Sequence, residues 1–380
     1  MKRAFQIALA LMAATMLAGC EPSAQERFDL GSAAFAAHDY ATARFDLVSV
    51  LQEQPSNVSA MDMLARSYLA LGDPRAAVGM LDRMQAAGKP PADLALMYGE
   101  ADVMLGNFDA VLTRMHDRRE ADAWRIAALA HIGKGDAEAA QAAFTAGLGA
   151  SGPKGRLHAD YAVYLLGKAE PVQARKFAAR SVASPEKPLS GYLVTADIAR
   201  MDGKLDQALK WYDKALSAYP GNRVALLAKI DILWRQDTIE AIRPLVADAL
   251  RASPDDADFV YLDARLAAED GAWAKVRERL QPREIEIKDY PEANLLYARA
   301  LLKTGQPEQA RVLLLSQLLR DPESREVRVA LGEAKLAAGD AAGAVETLRP
   351  LVALKDLTRA ERTIMTKAAN AVGLVSLTAL

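Results

Sequence analysis

Small and polar positions along this chain follow one template: a small residue, Gly or Asp seven positions on, a second small residue five further, and in several copies a proline about twelve after that. "ARSYLALGDPRAAVGMLDRM" (65–84) and "ADIARMDGKLDQALKWYDKALSAYP" (196–220) carry it most fully, beside "ARALLKTGQPEQARVLLLSQLLRDP" (298–322) and "GEAKLAAGDAAGAVETL" (332–348). The second small residue marks the register at Ala43, Ala77, Val111, Ala140, Ala174, Ala208, Ile242, Val276, Ala310 and Ala344. Eight of the nine steps between these markers are 34 residues; the step from Val111 to Ala140 is 29. Strand alternation is absent, so each period predicts two helices joined by a turn. One such pair cannot bury its apolar faces alone, and neighbouring pairs must stack. The five-residue deficit falls in "LTRMHDRREADAW" (112–124) and predicts a shortened second helix in the third repeat.

Period and pattern together resemble the tetratricopeptide repeat, whose units have a small residue at position 8, Gly at 15, Ala at 20 and Pro at 32. Position 8 here is Gly31, Ala65, Gly99, Ala128, Ala162, Ala196, Ile230, Ala264, Ala298 and Gly332. Position 15 is Gly72, Gly106, Gly135, Gly203, Gly271, Gly305 and Gly339, with His38, Ala169 and Asp237 departing from the pattern. Position 32 is proline at Pro55, Pro220, Pro254 and Pro322. Small residues at 8 and 20 let the two helices cross closely, glycine at 15 supplies the positive φ that ends the first helix, and proline at 32 cannot continue the second. The resemblance implies an all-α, right-handed superhelical solenoid of about ten repeats over residues 24–357, with 358–380 as a capping helix and tail.

The start of the chain changes the picture from fold to location. Lys2 and Arg3 precede an uncharged run, "AFQIALALMAATMLAG", that ends at Cys20, the only cysteine. A basic segment followed by a short apolar one is an export signal, shorter than the roughly 20 apolar residues of a membrane-spanning helix. Leu17-Ala18-Gly19-Cys20 resembles the lipobox of bacterial lipoproteins, which implies cleavage after residue 19 and lipidation of Cys20. Residues 20–23 are then the anchored terminus and a short tether. Such lipoproteins carry three acyl chains, and two or more hold a protein stably on a bilayer. Glu21 stands where aspartate retains many lipoproteins at the inner membrane, so the expected location is the outer membrane facing the periplasm, with the inner membrane as the alternative.

Composition narrows the function class. The formal charge is −2, with no basic stripe of the kind nucleic acid requires, and no linker rich in Pro, Gly or Ser divides the chain. His38, His116, His131 and His158 share no metal-ligand spacing. "GLGASGPKG" (147–155) lacks the strand and the Ser or Thr of a phosphate loop, and no G-x-S-x-G is present. The chain is expected to be no enzyme and to hold no metal or cofactor.

The resemblance instead assigns the work to the concave face, formed in tetratricopeptide proteins by positions 2, 5, 9, 12 and 13 of the first helices. Positions 5, 9 and 12 share one helical face. They place Asp197, Arg200, Asp231, Trp234, Tyr261, Arg265 and Arg299 there, with Arg66 and Glu100 earlier in the chain. Trp, Tyr and Arg dominate interface energetics, so a peptide or protein groove is expected; packing between repeats is the competing reading of Trp234 and Tyr261. The lysine and asparagine set of the chaperone-tail carboxylate clamp is missing. "AAHDYATARFDLVSVLQEQPSNVSAMDMLARSYLALGDPRAAVGML" and "GKPPADLALMYGEADVMLGNFDAVL" also resemble the N-terminal part of exosortase-associated tetratricopeptide lipoproteins, whose members are longer. That resemblance implies a scaffold binding envelope proteins in exopolysaccharide export. The alternatives are a pilus or secretin pilotin-like lipoprotein, a protease adaptor, or an enzyme with a cryptic site in the groove.

Overall fold

The computed structural model describes residues 22–374. Residues 1–21, which hold the expected export signal and Cys20, and the last six residues lie outside them. The chain divides into two compact units, residues 1–235 and 236–380. The division falls in the turn of the seventh repeat.

The described part of the N-terminal unit is helix after helix: α1 Ala24–Ala36, α2 Tyr40–Glu53, α3 Val58–Leu71, α4 Pro74–Ala86, α5 Leu94–Leu105, α6 Phe108–Met115, α7 Ala121–Gly133, α8 Ala137–Gly149, α9 Gly155–Gly167, α10 Pro171–Val182, α11 Leu189–Met201, α12 Leu205–Ala218 and α13 Arg223–Arg235. The C-terminal unit continues with α14 Ile239–Ala252, α15 Ala257–Glu269, α16 Trp273–Leu280, α17 Glu284–Ile287, α18 Pro291–Lys303, α19 Pro307–Arg320, α20 Arg325–Ala337, α21 Ala341–Leu348 and α22 Arg359–Ala371. Among the described residues the only strand-like pairing is one isolated bridge between Glu120 and Ser151. The fold is an all-α solenoid of stacked helix hairpins.

The register residues explain the stacking. All ten position-20 markers, from Ala43 to Ala344, have 0% exposure; within each unit such a residue sits where the second helix of a hairpin crosses the first. Position 8 is the other side of that crossing. At Gly332 an added Cβ would lie 2.7 Å from Leu348 Cγ, so only glycine admits the leucine there. At the turns, Asp39, Asp73, Asp136 and Asp340 follow position 15 and accept an amide hydrogen bond from the first turn of the second helix. Each such cap stabilises its helix by about 1 kcal/mol.

The deficit of five residues has the predicted consequence: α6 has eight residues. Two further eight-residue second helices, α16 and α21, come without any shortening of the period. Pro282 and Pro350 interrupt them, since proline lacks the amide for the next helical bond and its ring strikes the preceding turn. The chain continues as short 3-10 turns over Gln281–Arg283 and Arg349–Ala353.

The three departures at position 15 keep the glycine conformation. His38, Ala169 and Asp237 have φ of 60°, 59° and 56°, a region that costs an L-residue about 1–2 kcal/mol. Glycine there would give back part of that gain through its larger unfolded-state entropy. Ala169→Gly is therefore expected to stabilise the protein by about 0.5–1 kcal/mol, read as a higher urea midpoint at unchanged slope. A lower midpoint would mean that the turn does not require the left-handed region.

Helix α22 packs on α20 and α21. Thr358 and Glu361 form a capping box at its start. Arg325, at the start of α20, donates to Glu361 at 2.5 and 2.7 Å. This guanidinium, joined by the Thr358 amide and opposed by burial, lowers the Glu361 carboxyl to about 2. A carboxyl held below its unfolded value of 4.5 adds stability that is fully present above that pH and is lost as pH falls towards 2. Glu361→Gln is expected to cost about 1–2 kcal/mol at neutral pH after allowance for solvent screening. The difference from wild type should shrink when unfolding is followed below pH 4.5; a difference independent of pH would remove the charge from the explanation.

Candidate functional site

In the N-terminal unit the first helices of repeats 2 to 5 present their charges to one another. Arg66 of α3 donates to Asp62 at 3.0 Å and, through both terminal nitrogens, to Asp93 at 2.9 and 2.8 Å. Arg125 of α7 is the centre of a second group, its side chain only 3% exposed. It donates to Asp122 at 2.6 Å, to Asp160 of α9 at 2.9 Å, and to Glu100 of α5. Arg156 of α9 also donates to Glu100 and lies 3.5 Å from Asp122. Burial pushes the Asp122 carboxyl up and the Arg125 guanidinium down. The charged form of each is held against that pressure by its partners. Arg66 and Glu100, two of the residues assigned to partner binding, are thus internally paired.

The same unit is joined to itself over a long chain distance. The His38 ring stacks on Tyr219 at 4.4 Å with 14° between the planes, and its Nδ1 lies 2.9 Å from the carbonyl oxygen of Ala218. The turn after α1 therefore meets the end of α12. Tyr40 and Tyr219 are half-buried at this contact, their hydroxyls pushed up by burial and the Arg156 charge acting on both in the opposite sense. The strained φ of His38 is retained where its ring makes a contact that glycine could not supply.

Further along, Asp197 accepts from the Tyr212 hydroxyl at 2.8 Å and lies 3.6 Å from Arg200. Asp231 pairs with Arg235 at 3.0 Å, and Trp234 is half-buried. These four sequence-derived positions belong to the N-terminal unit. Tyr261 and Arg265 on α15 and Arg299 on α18 belong to the C-terminal unit. Tyr261 and Arg265 are half-buried. Arg299 is exposed and has no ion pair among the described residues. The nine positions are not one constellation: six are distributed over the N-terminal unit and three share the first-helix face of the C-terminal one.

The sequence reading passed over Asp62, Asp93, Asp122, Arg125, Arg156 and Asp160. Their signal is charge at positions 2, 5 and 6 of successive repeats, which looks the same as a solvated helix face until the helices are stacked. It also passed over the wall that residues 281–290 build beside Tyr261. Among the described residues no group of His, Cys, Asp and Glu is placed to hold a metal ion. His158 is half-buried against Phe177, with its Nδ1 unpaired and its imidazolium disfavoured by burial.

Two family models described as tetratricopeptide repeat match the chain, one over residues 34–97 and 285–325 and the other over 162–223. The chain carries tetratricopeptide repeats. The matched stretches fall in both compact units. No curated protein matches the chain in sequence. Similar solved structures include yeast Tom70, at 13% identity and TM-score 0.42 over 93% of this chain and 89% of that one. The Cut9–Hcn1 hetero-tetramer of the APC/C is similar at 11% identity and TM-score 0.47, over 95% and 98%. PilF of Pseudomonas aeruginosa is similar at 16% identity and TM-score 0.43, over 54% and 94%. The tetratricopeptide assignment rests on the two family models and on the hairpin order.

Proposed function

We propose that this tetratricopeptide protein is a lipid-anchored periplasmic scaffold that binds envelope proteins through its first-helix faces, in an assembly serving exopolysaccharide export. The observation that carries the reading is the junction at the start of the chain. The lipobox-like Leu17-Ala18-Gly19-Cys20 is followed almost at once by Ser23, whose side chain and Glu26 form a capping box at the start of α1. Three or four residues reach at most about 14 Å, so the solenoid would begin at the bilayer surface. Stacked repeats with charged and aromatic first-helix faces suit partner binding, and the ion-pair groups described above have structural partners in place of a substrate. The role is one of holding proteins together, with no turnover.

The test is metabolic labelling with a radioactive fatty acid, together with membrane flotation and polymer assay. Wild type should be labelled and float with membranes, Cys20→Ser should be unlabelled and soluble, and a strain lacking the protein should secrete less polysaccharide. Label that survives Cys20→Ser removes the anchor. Unchanged secretion in the deletion strain removes the export role.

A further inference from the structure

The C-terminal unit contains a pocket of about 160 Å³ beside Tyr261. It exists because Pro282 ends α16 early. The chain then folds back through α17 towards α18 and leaves a gap against the start of α15. The floor is apolar and buried: Leu280 is 1% exposed, and Val260, Ile287 and Ala293 are each 6% exposed. Tyr261 and Tyr290 form the walls, and Tyr290 is 56% exposed.

Size decides the occupant. A dry apolar cavity of about 150 Å³ accepts one benzene molecule, whereas sites for drug-sized ligands are about 300–1,000 Å³. This pocket therefore has room for a single aromatic side chain, and two tyrosine rings offer it the tilted or stacked contacts such rings favour. Charge decides what accompanies the ring. Asp258, Glu286 and Glu292 stand at the rim with one guanidinium, Arg283. Arg283 is held by Glu286 at 3.2 Å and by Asp255 at 3.0 Å. Glu292 is exposed and makes no ion pair among the described residues. A neighbouring cation meets net negative charge there, and an anion meets repulsion.

We infer that this pocket seats the phenyl ring of a partner peptide in which a phenylalanine is followed by a lysine or arginine, with the cation resting on Glu292. The inference rests on the reading of the first-helix faces as peptide-binding and names the chemistry they select. A ring in a desolvated pocket supplies the affinity. The cation at an exposed carboxylate adds little energy and fixes direction.

The probe is the peptide Gly-Ser-Gly-(4-fluoro-Phe)-Lys-Gly-Ser, titrated with the full-length protein in detergent micelles and read by fluorine NMR. Wild type should shift and broaden the signal to saturation. Ala257→Trp, at an exposed position on the pocket lining, should weaken binding at least about tenfold by covering the mouth. Glu292→Lys, and a probe with glutamate in place of lysine, should each weaken it about three- to tenfold. Lys168→Glu, at an exposed position after α9 in the N-terminal unit, should leave the probe unaffected. No shift with wild type, or the same shift with Ala257→Trp, overturns the inference. If Ala257→Trp still recovers envelope partners while Arg299→Glu loses them, the pocket fails and the scaffold reading stands. If the probe is seated as described but wild type recovers no envelope partner, the scaffold reading fails and the pocket stands.

Discussion

Arg125→Met is expected to destabilise the N-terminal unit by about 3–5 kcal/mol, the range seen when one partner of a buried charged group is removed. The guanidinium is 3% exposed and holds Glu100, Asp122 and Asp160, which come from α5, α7 and α9. Those carboxylates are 19%, 27% and 20% exposed, so water reaches them in part and the loss should fall nearer the lower end. Arg156 can still serve Glu100 and Asp122, but not Asp160. Arg125→Lys should recover little, because a point charge cannot match three directions as a planar fork does. Replacing all four groups at once, with Glu100→Gln, Asp122→Asn and Asp160→Asn added to Arg125→Met, should restore most of the loss, since no buried charge then lacks a partner. Guanidinium unfolding measures all three. If Arg125→Met were neutral, the cluster would be an ordinary solvated surface.

Phe144→Ala is expected to cost about 3–5 kcal/mol, the range for removing a buried aromatic side chain. Phe144 on α8 is 0% exposed. Its ring stacks on Tyr161 at 4.9 Å and lies 5.4 Å from Tyr164, so the substitution removes aromatic pairing as well as area. Both tyrosines are on α9, the first helix of the next repeat, and Phe177 of α10 extends the group at 4.7 Å from Tyr161. Repeats are held mainly by their neighbours. Hydrogen exchange should therefore rise first in α8, α9 and α10. Phe144→Leu, which keeps most of the apolar volume, should lose less than half as much as the alanine variant. Equal losses would point to backbone distortion in place of lost packing.

The fold was legible because its constraints repeat. Alanine at position 20 and glycine or alanine at position 8 mark helix crossings wherever they occur, and ten copies of one register leave no competing period. The deficit before Ala140 identified the short α6, since a missing stretch of chain must come out of an element. Pro282 and Pro350 were visible too, but their effect depends on a helix having run up to them in a register that leaves no room to kink. The departures His38, Ala169 and Asp237 could not be read as left-handed from composition; the surrounding turn imposes that conformation on them.

The site was less legible, for a physical reason. Arg66 and Glu100 stood out as charges on the first-helix face, yet whether a charge faces a partner or its neighbour depends on the side chain one repeat away. Asp93 and Arg125 settle that for these two. His38 and Tyr219 are 181 residues apart, and their contact follows from rotations accumulated over five repeats, which no local pattern records. Tyr261 and Arg299 were identified correctly as first-helix residues by spacing, while the pocket beside Tyr261 depends on the path of the chain after Pro282.

The most direct single measurement is a crosslinking pull-down from membranes with three forms of the full-length protein: wild type, Arg265→Glu/Arg299→Glu in the C-terminal unit, and Arg156→Gln in the N-terminal unit. Circular dichroism would confirm that each is folded. The predicted result is a defined set of envelope proteins with wild type and Arg156→Gln, and its loss with Arg265→Glu/Arg299→Glu. Retention of every partner by the double variant would contradict a first-helix binding face in the C-terminal unit, and loss with Arg156→Gln alone would place binding in the N-terminal unit instead.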